Sequence, residues 1–395
     1  MENHNYIEET DKILVKTYNR YQIVIEKGED VYLYDINGKK YLDFAAGIAV
    51  NGLGYSNEKY KNALKEQIDK VTHVSNLYYN VPAYEAALKF KKASGMDRVF
   101  FTNSGAEAIE GALKIARRYV YKENITTIHE IITMRRSFHG RTLGALSVTH
   151  SPKYRYPFKP LIPGVKFADY NDILSVKEQV TEQTCAIIVE PVQGEGGIHP
   201  ASQYFLKELR KLCDQRKILL IFDEVQCGMG RTGDMFAWQG YGVKPDILVS
   251  AKGLGCGIPV GAFAMTEEVA QRSLKPGDHG TTYGGNPFAC KAVSTIFDIF
   301  EEENILKNVK EVSSYLEEKL DMLVEKYPEI VERRGKGLLQ GLEFNKPVAP
   351  IIEKIMQEGA FVIPAGEKVL RFVPPLVIKK EHVEELIVIL EKSLS

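Results

Sequence analysis

Two apolar segments of the chain are each followed by a residue that could take part in chemistry. Ile218–Phe222 (ILLIF) precedes Asp223, and Asp246–Ser250 (DILVS) precedes Ala251 and Lys252. Such runs predict buried strands. In open α/β sheets, ligands bind beyond the carboxyl ends of the strands. The sequence therefore predicts a carboxylate and a primary amine at one edge of a sheet.

This pair of groups suits pyridoxal 5′-phosphate (PLP). The cofactor forms a Schiff base with a lysine, and an acidic partner keeps its ring nitrogen protonated. Glycines after Lys252 would let the backbone approach a bulky ligand, and desolvation would lower the pKa of the lysine. Asp223 could instead cap a helix or bind a metal, although no histidine or second carboxylate cluster lies at ligand spacing. Lys252 could instead be a surface residue.

A third segment could bind an anion. Phe101–Glu107 (FTNSGAE) leaves a predicted strand and enters a helix with an apolar face. The small residues Ser104, Gly105 and Ala106 would expose backbone amides at the helix N-terminus, where a phosphate fits. A plain turn in which Ser104 caps the helix is the alternative.

Two arginines are candidates for binding carboxylates. Arg141 lies in Ser137–Thr142 (SFHGRT), and Arg371 lies in Leu370–Pro375 (LRFVPP). The guanidinium fork binds carboxylates through two hydrogen bonds, which suits amino-acid and oxo-acid substrates. For either arginine by itself, a surface salt bridge is the simpler interpretation.

Gly228–Gly233 (GMGRTG) matches the GxGxxG pattern of nicotinamide-dependent dehydrogenases. It begins five residues after Asp223 and does not lead into a capped helix, which is the wrong context for that motif. The dehydrogenase interpretation is therefore a remote alternative.

Composition excludes several classes of protein. The 395 residues carry a net charge of −1, with 44% hydrophobic and 26% charged residues. This balance gives no electrostatic reason to expect nucleic acid or a membrane surface as a partner. Five cysteines without paired spacing favour neither a disulfide framework nor a zinc site. The N-terminus shows no signal-peptide pattern, so we expect a soluble, cytoplasmic protein.

The order of predicted elements indicates an α/β fold. Val31–Asp35 and Lys40–Phe44 flank the turn signal Asn37-Gly38 and predict a hairpin. Strands alternating with helices predict a largely parallel sheet covered on both faces; the predicted strands are Val99–Thr102, Glu130–Met134, Ala186–Val189, Ile218–Phe222, Ile247–Val249 and Ala262–Met265. A long helix over Glu301–Lys326, strands at Gly337–Phe344 and Val369–Phe372 and a helix over Glu381–Leu394 predict a smaller α+β domain.

Taken together, the motifs resemble those of the class III PLP-dependent aminotransferases, and among them the acetylornithine aminotransferases. The resemblance covers nearly the whole chain in the expected order and rests on these segments: Asp43–Asn51 (DFAAGIAVN), Phe101–Ala108 (FTNSGAEA), Phe138–Thr142 (FHGRT), Glu190–Gly197 (EPVQGEGG), Phe222–Gln226 (FDEVQ), Ala251-Lys252 and His279–Pro287 (HGTTYGGNP). It implies the fold-type I architecture, with a mostly parallel seven-stranded sheet in a large domain (51–290). Residues 1–50 and 291–395 are expected to form the small α+β domain.

The resemblance also implies roles for individual residues. Lys252 is expected to bind PLP covalently and to shuttle the proton, and Asp223 to pair with the ring nitrogen. The remaining residues of the expected cofactor site are Ser104, Gly105 and Ala106 at the phosphate, Phe138 on the ring, Gln226 near the phenolic oxygen and Thr282 at the phosphate of the neighbouring subunit. The last of these implies a homodimer.

The implied reaction moves the terminal amino group of N2-acetyl-L-ornithine to 2-oxoglutarate. Arg141, with Thr281, is expected to bind the donor's α-carboxylate. We further expect Glu195 to neutralise Arg371 while the donor is bound and to move aside for 2-oxoglutarate, because a buried unpaired arginine costs several kcal/mol.

Other donors remain alternatives: succinylornithine, succinyldiaminopimelate, ornithine and 4-aminobutyrate. A scaffold without catalysis is a further alternative, against which Lys252 and Asp223 together speak. Ile48 favours an acylated donor, because ornithine δ-aminotransferases tend to carry a tyrosine there that helps hold free ornithine. The chain departs from the family at Tyr55–Glu58 (YSNE), where His-x-His-Pro is usual, and at Cys227 and Cys256.

Overall fold

The structure is a computed structural model that describes residues 5–121 and 129–394. Residues 1–4, on which part of the prediction about an N-terminal signal rests, lie outside the described residues. Among the residues described, no helix combines the length and the apolar character needed to cross a membrane.

Strands and helices alternate through most of the described chain. The strands are β1 (Ile25–Glu29), β2 (Tyr32–Asp35), β3 (Lys40–Asp43), β4 (Arg98–Thr102), β5 (Glu130–Met134), β6 (Val165–Ala168), β7 (Thr184–Val189), β8 (Val192–Gln193), β9 (His199–Pro200), β10 (Leu219–Asp223), β11 (Ile247–Ser250), β12 (Gly261–Met265), β13 (Ile330–Lys336), β14 (Leu339–Phe344), β15 (Ala360–Phe361), β16 (Ile363–Pro364) and β17 (Val369–Phe372). The helices are α1 (Tyr6–Ile13), α2 (Ala46–Ala49), α3 (Glu58–Lys70), α4 (Val81–Ser94), α5 (Gly105–Val120), α6 (Leu143–Val148), α7 (Pro152–Arg155), α8 (Ile173–Gln179), α9 (Gln203–Arg216), α10 (Ala237–Tyr241), α11 (Glu267–Arg272), α12 (Pro287–Glu302), α13 (Ile305–Lys326), α14 (Ala349–Gln357) and α15 (Lys380–Leu394).

The central sheet has seven strands in the order β4-β12-β11-β10-β7-β5-β6. The pairs from β11 to β6 are parallel, whereas β12 runs antiparallel to both of its neighbours. The prediction of a mostly parallel sheet is therefore confirmed. All six predicted strands are present, and β6 is an addition at the edge. Every residue of β7, β10 and β11 is buried, as expected for parallel strands covered on both faces.

Two smaller four-stranded sheets lie outside the central sheet, and strands from both ends of the chain meet in one of them. The predicted hairpin is β2 and β3, and β3 also pairs with β15, so that Leu42 lies beside Ala360. The second sheet has the order β13-β14-β17-β16. This arrangement supports the division into a large domain (51–290) and a small domain built from 1–50 and 291–395, which we propose. Helix α12 runs across the proposed boundary at residue 290.

The long helix predicted over Glu301–Lys326 is present, but it begins four residues later than predicted. Helix α12 ends at Glu302, and α13 begins at Ile305. Between them Asn304 adopts a left-handed backbone with φ of 52°. Asparagine tolerates that conformation better than most residues. The chain therefore turns at Asn304, although the charged helical pattern of the sequence continues across this position.

Candidate active site

One cavity of about 410 Å³ lies beyond the carboxyl ends of β10 and β11. The predicted site residues that line it are Ser104, Gly105, Ala106, Phe138, Arg141, Asp223, Gln226 and Lys252. The sheet explains their meeting, because neighbouring parallel strands present their ends at the same edge. The volume lies in the range of sites that bind cofactors and small ligands.

Asp223 is held in a fixed orientation by a buried histidine. Its Oδ2 atom lies 2.6 Å from Nδ1 of His139, and its Oδ1 atom accepts the backbone amide of Val225 at 3.0 Å. Burial alone would lower the pKa of His139, but the hydrogen bond and charge of Asp223 outweigh it and raise that pKa. The histidine and the amide of Val225 therefore fix the direction of the Asp223 carboxyl group, as an acidic partner of a ring nitrogen requires.

Lys252 follows β11 with a left-handed backbone, φ 49°. Burial lowers the pKa of its amine to about 8, although the charge of Glu195 opposes this change. A larger fraction of the amine is thus neutral near pH 7 than for an exposed lysine. A neutral amine is the form that attacks an aldehyde or accepts a proton.

The N-terminus of α5 forms another wall of the cavity. Ser104 caps the helix by accepting the amide of Glu107 at 3.2 Å, so the capping alternative is also correct. The first amides of a helix have no partner within it, and those of Gly105 and Ala106 lie in the cavity wall. A Cβ on Gly105 would come within 2.9 Å of Cγ1 of Val225, so only glycine permits this close approach.

Arg141 lies on the face of an aromatic ring. Its guanidinium carbon is 3.6 Å from the centre of the Tyr154 ring and 5.4 Å from that of Phe138. Within the described part of the chain, Arg141 forms no ion pair, so its donors are available to an anion that enters the cavity.

Arg371 is already paired with the predicted partner. It is 2% exposed, and its guanidinium donates to Glu195 at 2.5 and 3.3 Å. Gln226 joins both side chains: it donates to Glu195 at 3.3 Å and accepts from Arg371 at 3.0 Å. Burial would raise the pKa of Glu195, but the charge of Arg371 outweighs it and lowers that pKa. Glu195 is therefore ionised at neutral pH.

The two threonines lie outside this cavity. The hydroxyl of Thr281 accepts a hydrogen bond from Asn103, a cavity residue, at 3.1 Å. Thr282 is exposed in the single chain. Neither residue is brought together with Lys252 and Asp223 within one subunit.

Residues to which the sequence analysis gave no role also line the cavity, among them His139, Glu190 and Val225. Glu190 is buried and accepts the amides of Phe138 at 3.2 Å and Gly194 at 3.4 Å. Burial raises its pKa to about 8. The sequence feature that could have identified these three residues is their position inside the family motifs, where they lie close to residues with predicted roles.

The Gly228–Gly233 segment does not form a dinucleotide-binding loop. It forms turns, and its Arg231 is buried and donates to the carbonyl oxygens of Leu338, at 3.1 Å, and Pro374. The segment thus contacts the chain at Leu338 and Pro374 instead of opening a helix toward a ligand. This geometry argues against the dehydrogenase alternative.

The residues that line the cavity fit PLP. They supply a lysine of lowered pKa, a buried carboxylate held by a histidine, and helix amides suited to a phosphate. Across residues 5–121 and 129–394, no group of three or more His, Cys, Asp or Glu side chains is arranged to hold a metal ion.

Comparison with known proteins gives the family. The class-III aminotransferase family model matches residues 14–394. An acetylornithine aminotransferase of Methanocaldococcus jannaschii is 49% identical, covering 98% of this chain and 97% of that protein. The structure is similar to an ornithine aminotransferase of Toxoplasma gondii that holds PLP at its active site, with a TM-score of 0.95, 32% identity and coverage of 99% of this chain and 93% of that one. It is also similar to an N-acetylornithine aminotransferase of Stenotrophomonas maltophilia, with a TM-score of 0.83, 35% identity and coverage of 95% and 96%.

A family match over nearly the whole chain agrees with a cavity whose side chains suit PLP. The chain belongs to the class-III aminotransferases, which are PLP-dependent enzymes.

Proposed function

We propose that the enzyme transfers the terminal amino group of N2-acetyl-L-ornithine to 2-oxoglutarate. The products are N-acetyl-L-glutamate 5-semialdehyde and L-glutamate, and the reaction belongs to arginine biosynthesis. The observation that carries the proposal is the state of two arginines. Arg141, in the cavity wall, forms no ion pair with any residue that the structure describes, whereas Arg371, which contacts the cavity residue Gln226, is neutralised by Glu195. The names of relatives that are 43–49% identical also support it.

For the cofactor, we assign Lys252 to the covalent bond and Ser104, Gly105 and Ala106 to the phosphate. Phe138 would cover one face of the ring, and Gln226 would lie near its phenolic oxygen; both side chains line the cavity. When bound, PLP supplies an electron sink that acidifies the carbon bearing the amino group.

Lys252 moves the proton in both directions of the reaction. Its amine belongs to a side chain that lines the cavity. Because its pKa is lowered to about 8, this amine can take a proton from carbon and return it to a neighbouring atom near neutral pH.

Asp223 is the residue that would pair with the ring nitrogen and so would keep the electron sink effective. His139 donates to the carboxylate at 2.6 Å and fixes its direction. A carboxylate oriented before the reaction stabilises developing charge without having to reorganise.

Substrate recognition uses both arginines. Arg141, with Thr281, binds the α-carboxylate of acetylornithine. Arg371 stays paired with Glu195 while this donor, which has a single carboxylate, is bound. When 2-oxoglutarate enters, Glu195 moves aside and Arg371 binds the second carboxylate, so that one cavity serves two substrates.

The working unit is a homodimer in which Thr282 reaches the phosphate site of the neighbouring subunit. The single chain supports this by leaving a set of large apolar side chains exposed in one segment: Leu77, Tyr78, Tyr79, Val81 and Tyr84. Such a patch is typical of an interface. Sedimentation velocity at micromolar concentration should give twice the mass of the chain, and a stable active monomer would contradict the dimer.

We place the enzyme in the cytoplasm. All five cysteines, Cys185, Cys213, Cys227, Cys256 and Cys290, are buried and unpaired, which suits a reducing compartment.

Steady-state kinetics with different donors test the proposal. With 2-oxoglutarate as acceptor, we expect kcat/KM for acetylornithine to exceed that for succinylornithine, succinyldiaminopimelate, ornithine and 4-aminobutyrate. The aliphatic Ile48 supports this order over free ornithine. A wide preference for ornithine would refute the donor assignment while leaving the family unaffected.

A further inference from the structure

Four successive residues ahead of the cavity have a left-handed backbone. The φ angles of Ala46, Gly47, Ile48 and Ala49 are 46°, 63°, 67° and 62°. Residues with a Cβ atom rarely adopt this conformation and then usually singly, and for a β-branched residue it is an outlier. A turn of this kind persists only where its surroundings hold it, and such strain concentrates at ligand sites.

A buried carboxylate holds the start of this left-handed turn. Oδ1 of Asp43 accepts the backbone amides of Ala45 at 2.9 Å and Ala46 at 2.8 Å. Its Oδ2 atom accepts the hydroxyl of Tyr55 at 2.5 Å. Asp43 is 1% exposed, so these three donors replace the water that it has lost.

Tyr55 is itself fixed from three sides. Its backbone amide donates to the carbonyl of Asp30 at 2.8 Å, and Asn51 donates to its hydroxyl oxygen at 3.3 Å. The ring packs so closely on Gly28 that a Cβ there would lie 2.4 Å from the Tyr55 Cγ atom. Burial and the charge of Asp43 raise the pKa of Tyr55, so the hydroxyl keeps the proton that it donates.

The left-handed turn leads directly into the cavity wall. Val50, the next residue, lines the cavity together with Gly257. Asn51 abuts the same wall, because a Cβ on Gly257 would lie 3.2 Å from its Oδ1 atom. Ile48, at the third position of the turn, is 44% exposed. A change in the turn would therefore move the wall but not Lys252 or Asp223.

We propose that Asp43 and Tyr55 form a brace that holds the left-handed turn and thereby sets the cavity wall that discriminates among amino donors. Tyr55 is then a positioning residue that touches neither substrate nor cofactor. The inference rests on the proposed function for the choice of donors and adds to it the element that determines selectivity.

Tyr55→Phe in the holoenzyme tests the brace with two readouts. Loss of the hydroxyl should speed hydrogen exchange at the amides of Ala45 and Ala46 by about tenfold, since the carboxylate that they donate to loses a fixed partner. The ratio of kcat/KM for acetylornithine to that for ornithine should change by about fivefold or more, through KM, while kcat stays within about threefold. Tyr32→Phe is the matched control, because it removes a hydroxyl bonded to Glu385 at 2.8 Å in the small domain. It should change neither readout.

Gly28→Ala provides a second variant that displaces the ring and keeps the hydroxyl, and it should act in the same direction as Tyr55→Phe. Exchange at wild-type rates in Tyr55→Phe would overturn the brace, as would faster exchange with an unchanged donor ratio. If the wild-type enzyme prefers ornithine, the proposed function fails. In that case, the rates of hydrogen exchange at Ala45 and Ala46 and the change in the donor ratio still test whether Asp43 and Tyr55 hold the turn.

Discussion

The site has two sides that differ in how their charges are held. On the side that we propose for the cofactor, Asp223 ends one buried strand, Lys252 follows another, and Asp223 is fixed by His139. On the side that we propose for the substrates, Arg141 rests on a tyrosine ring, and the Glu195 carboxylate is about a third exposed although its partner Arg371 is buried. A rigid side would suit chemistry that is the same for both substrates. A side whose ion pair can exchange partners would suit the recognition of two substrates that differ in their number of carboxylates.

Removal of Lys252 should have the largest effect, because it acts in both half-reactions. Lys252→Ala should lower kcat by about 10⁴-fold, the upper range for loss of a general acid–base. Lys244→Ala, an exposed lysine on a loop, should match the wild type. If Lys252→Ala turned over near the wild-type rate, Lys252 would not carry the chemistry, and the proposed difference between the two sides would be refuted.

Asp223→Asn keeps the shape of the side chain and removes its charge. We expect kcat to fall by about 10²–10³-fold for both half-reactions, within the range for a positioned acid or base. The pKa of His139 should fall as well, because the charge that raises it is gone. Single-turnover rates and NMR titration of the histidine measure these effects. A loss confined to one half-reaction would place Asp223 on the recognition side.

Glu195→Gln should separate the two substrates. The donor half-reaction should slow by about 10–100-fold, because Arg371 is left with an unneutralised charge in a buried site. The 2-oxoglutarate half-reaction should stay within about threefold. Rapid-mixing absorbance resolves the two steps, and Glu332→Gln, which alters a partner of Arg334 away from the cavity, is the control.

The pH dependence of this ion pair has a definite direction. The pKa of Glu195 is lowered, so the pair is fully present above the usual value of 4.5 and is lost as pH falls through the lower value in the folded protein. If the difference in donor half-reaction rate between the wild type and Glu195→Gln disappeared between pH 6 and 8, this assignment would be contradicted.

Arg141→Lys keeps the charge and removes the two-pronged donor. KM for acetylornithine should rise about tenfold with little change in kcat. N-acetyl-1,4-diaminobutane, a donor without the α-carboxylate, should be used equally by both proteins. An equal loss of activity with both donors would mean that Arg141 does not bind the α-carboxylate.

The smallest effect concerns pH and Lys252 in the apoenzyme. Because burial lowers the pKa of this amine to about 8, the rate of PLP capture should rise roughly fivefold between pH 7 and 8 and level off above it. An unperturbed lysine would show a rise that continues beyond pH 10. Stopped-flow absorbance measures the rate, and a continued rise would contradict the desolvated site.

Local patterns predicted the elements that carry the chemistry. The hairpin around Asn37-Gly38, the strands that end at Asp223 and Ser250 and the final helix were all found from turn signals and apolar runs. Contacts between distant segments were not predicted from these patterns. The His139–Asp223 pair joins residues 84 positions apart, and nothing in either local sequence shows which histidine meets which carboxylate.

The break at Asn304 and the left-handed turn at 46–49 were missed for a related reason. A charged helical pattern runs through the break unchanged, and Ala46, Ile48 and Ala49 are residues that normally avoid positive φ. Only the partners of Asp43 explain why the chain accepts that strain.

The sequence by itself determined which reactive groups the chain carries. It also placed Asp223 and Lys252 at one edge of a sheet, since each follows an apolar run that predicts a buried strand. The tertiary structure decided which charges are neutralised and which remain available. Arg141 and Arg371 look alike as residues, and only packing gives one an aromatic face and the other a carboxylate. Electrostatic energy depends on distance and burial, which a linear pattern does not contain.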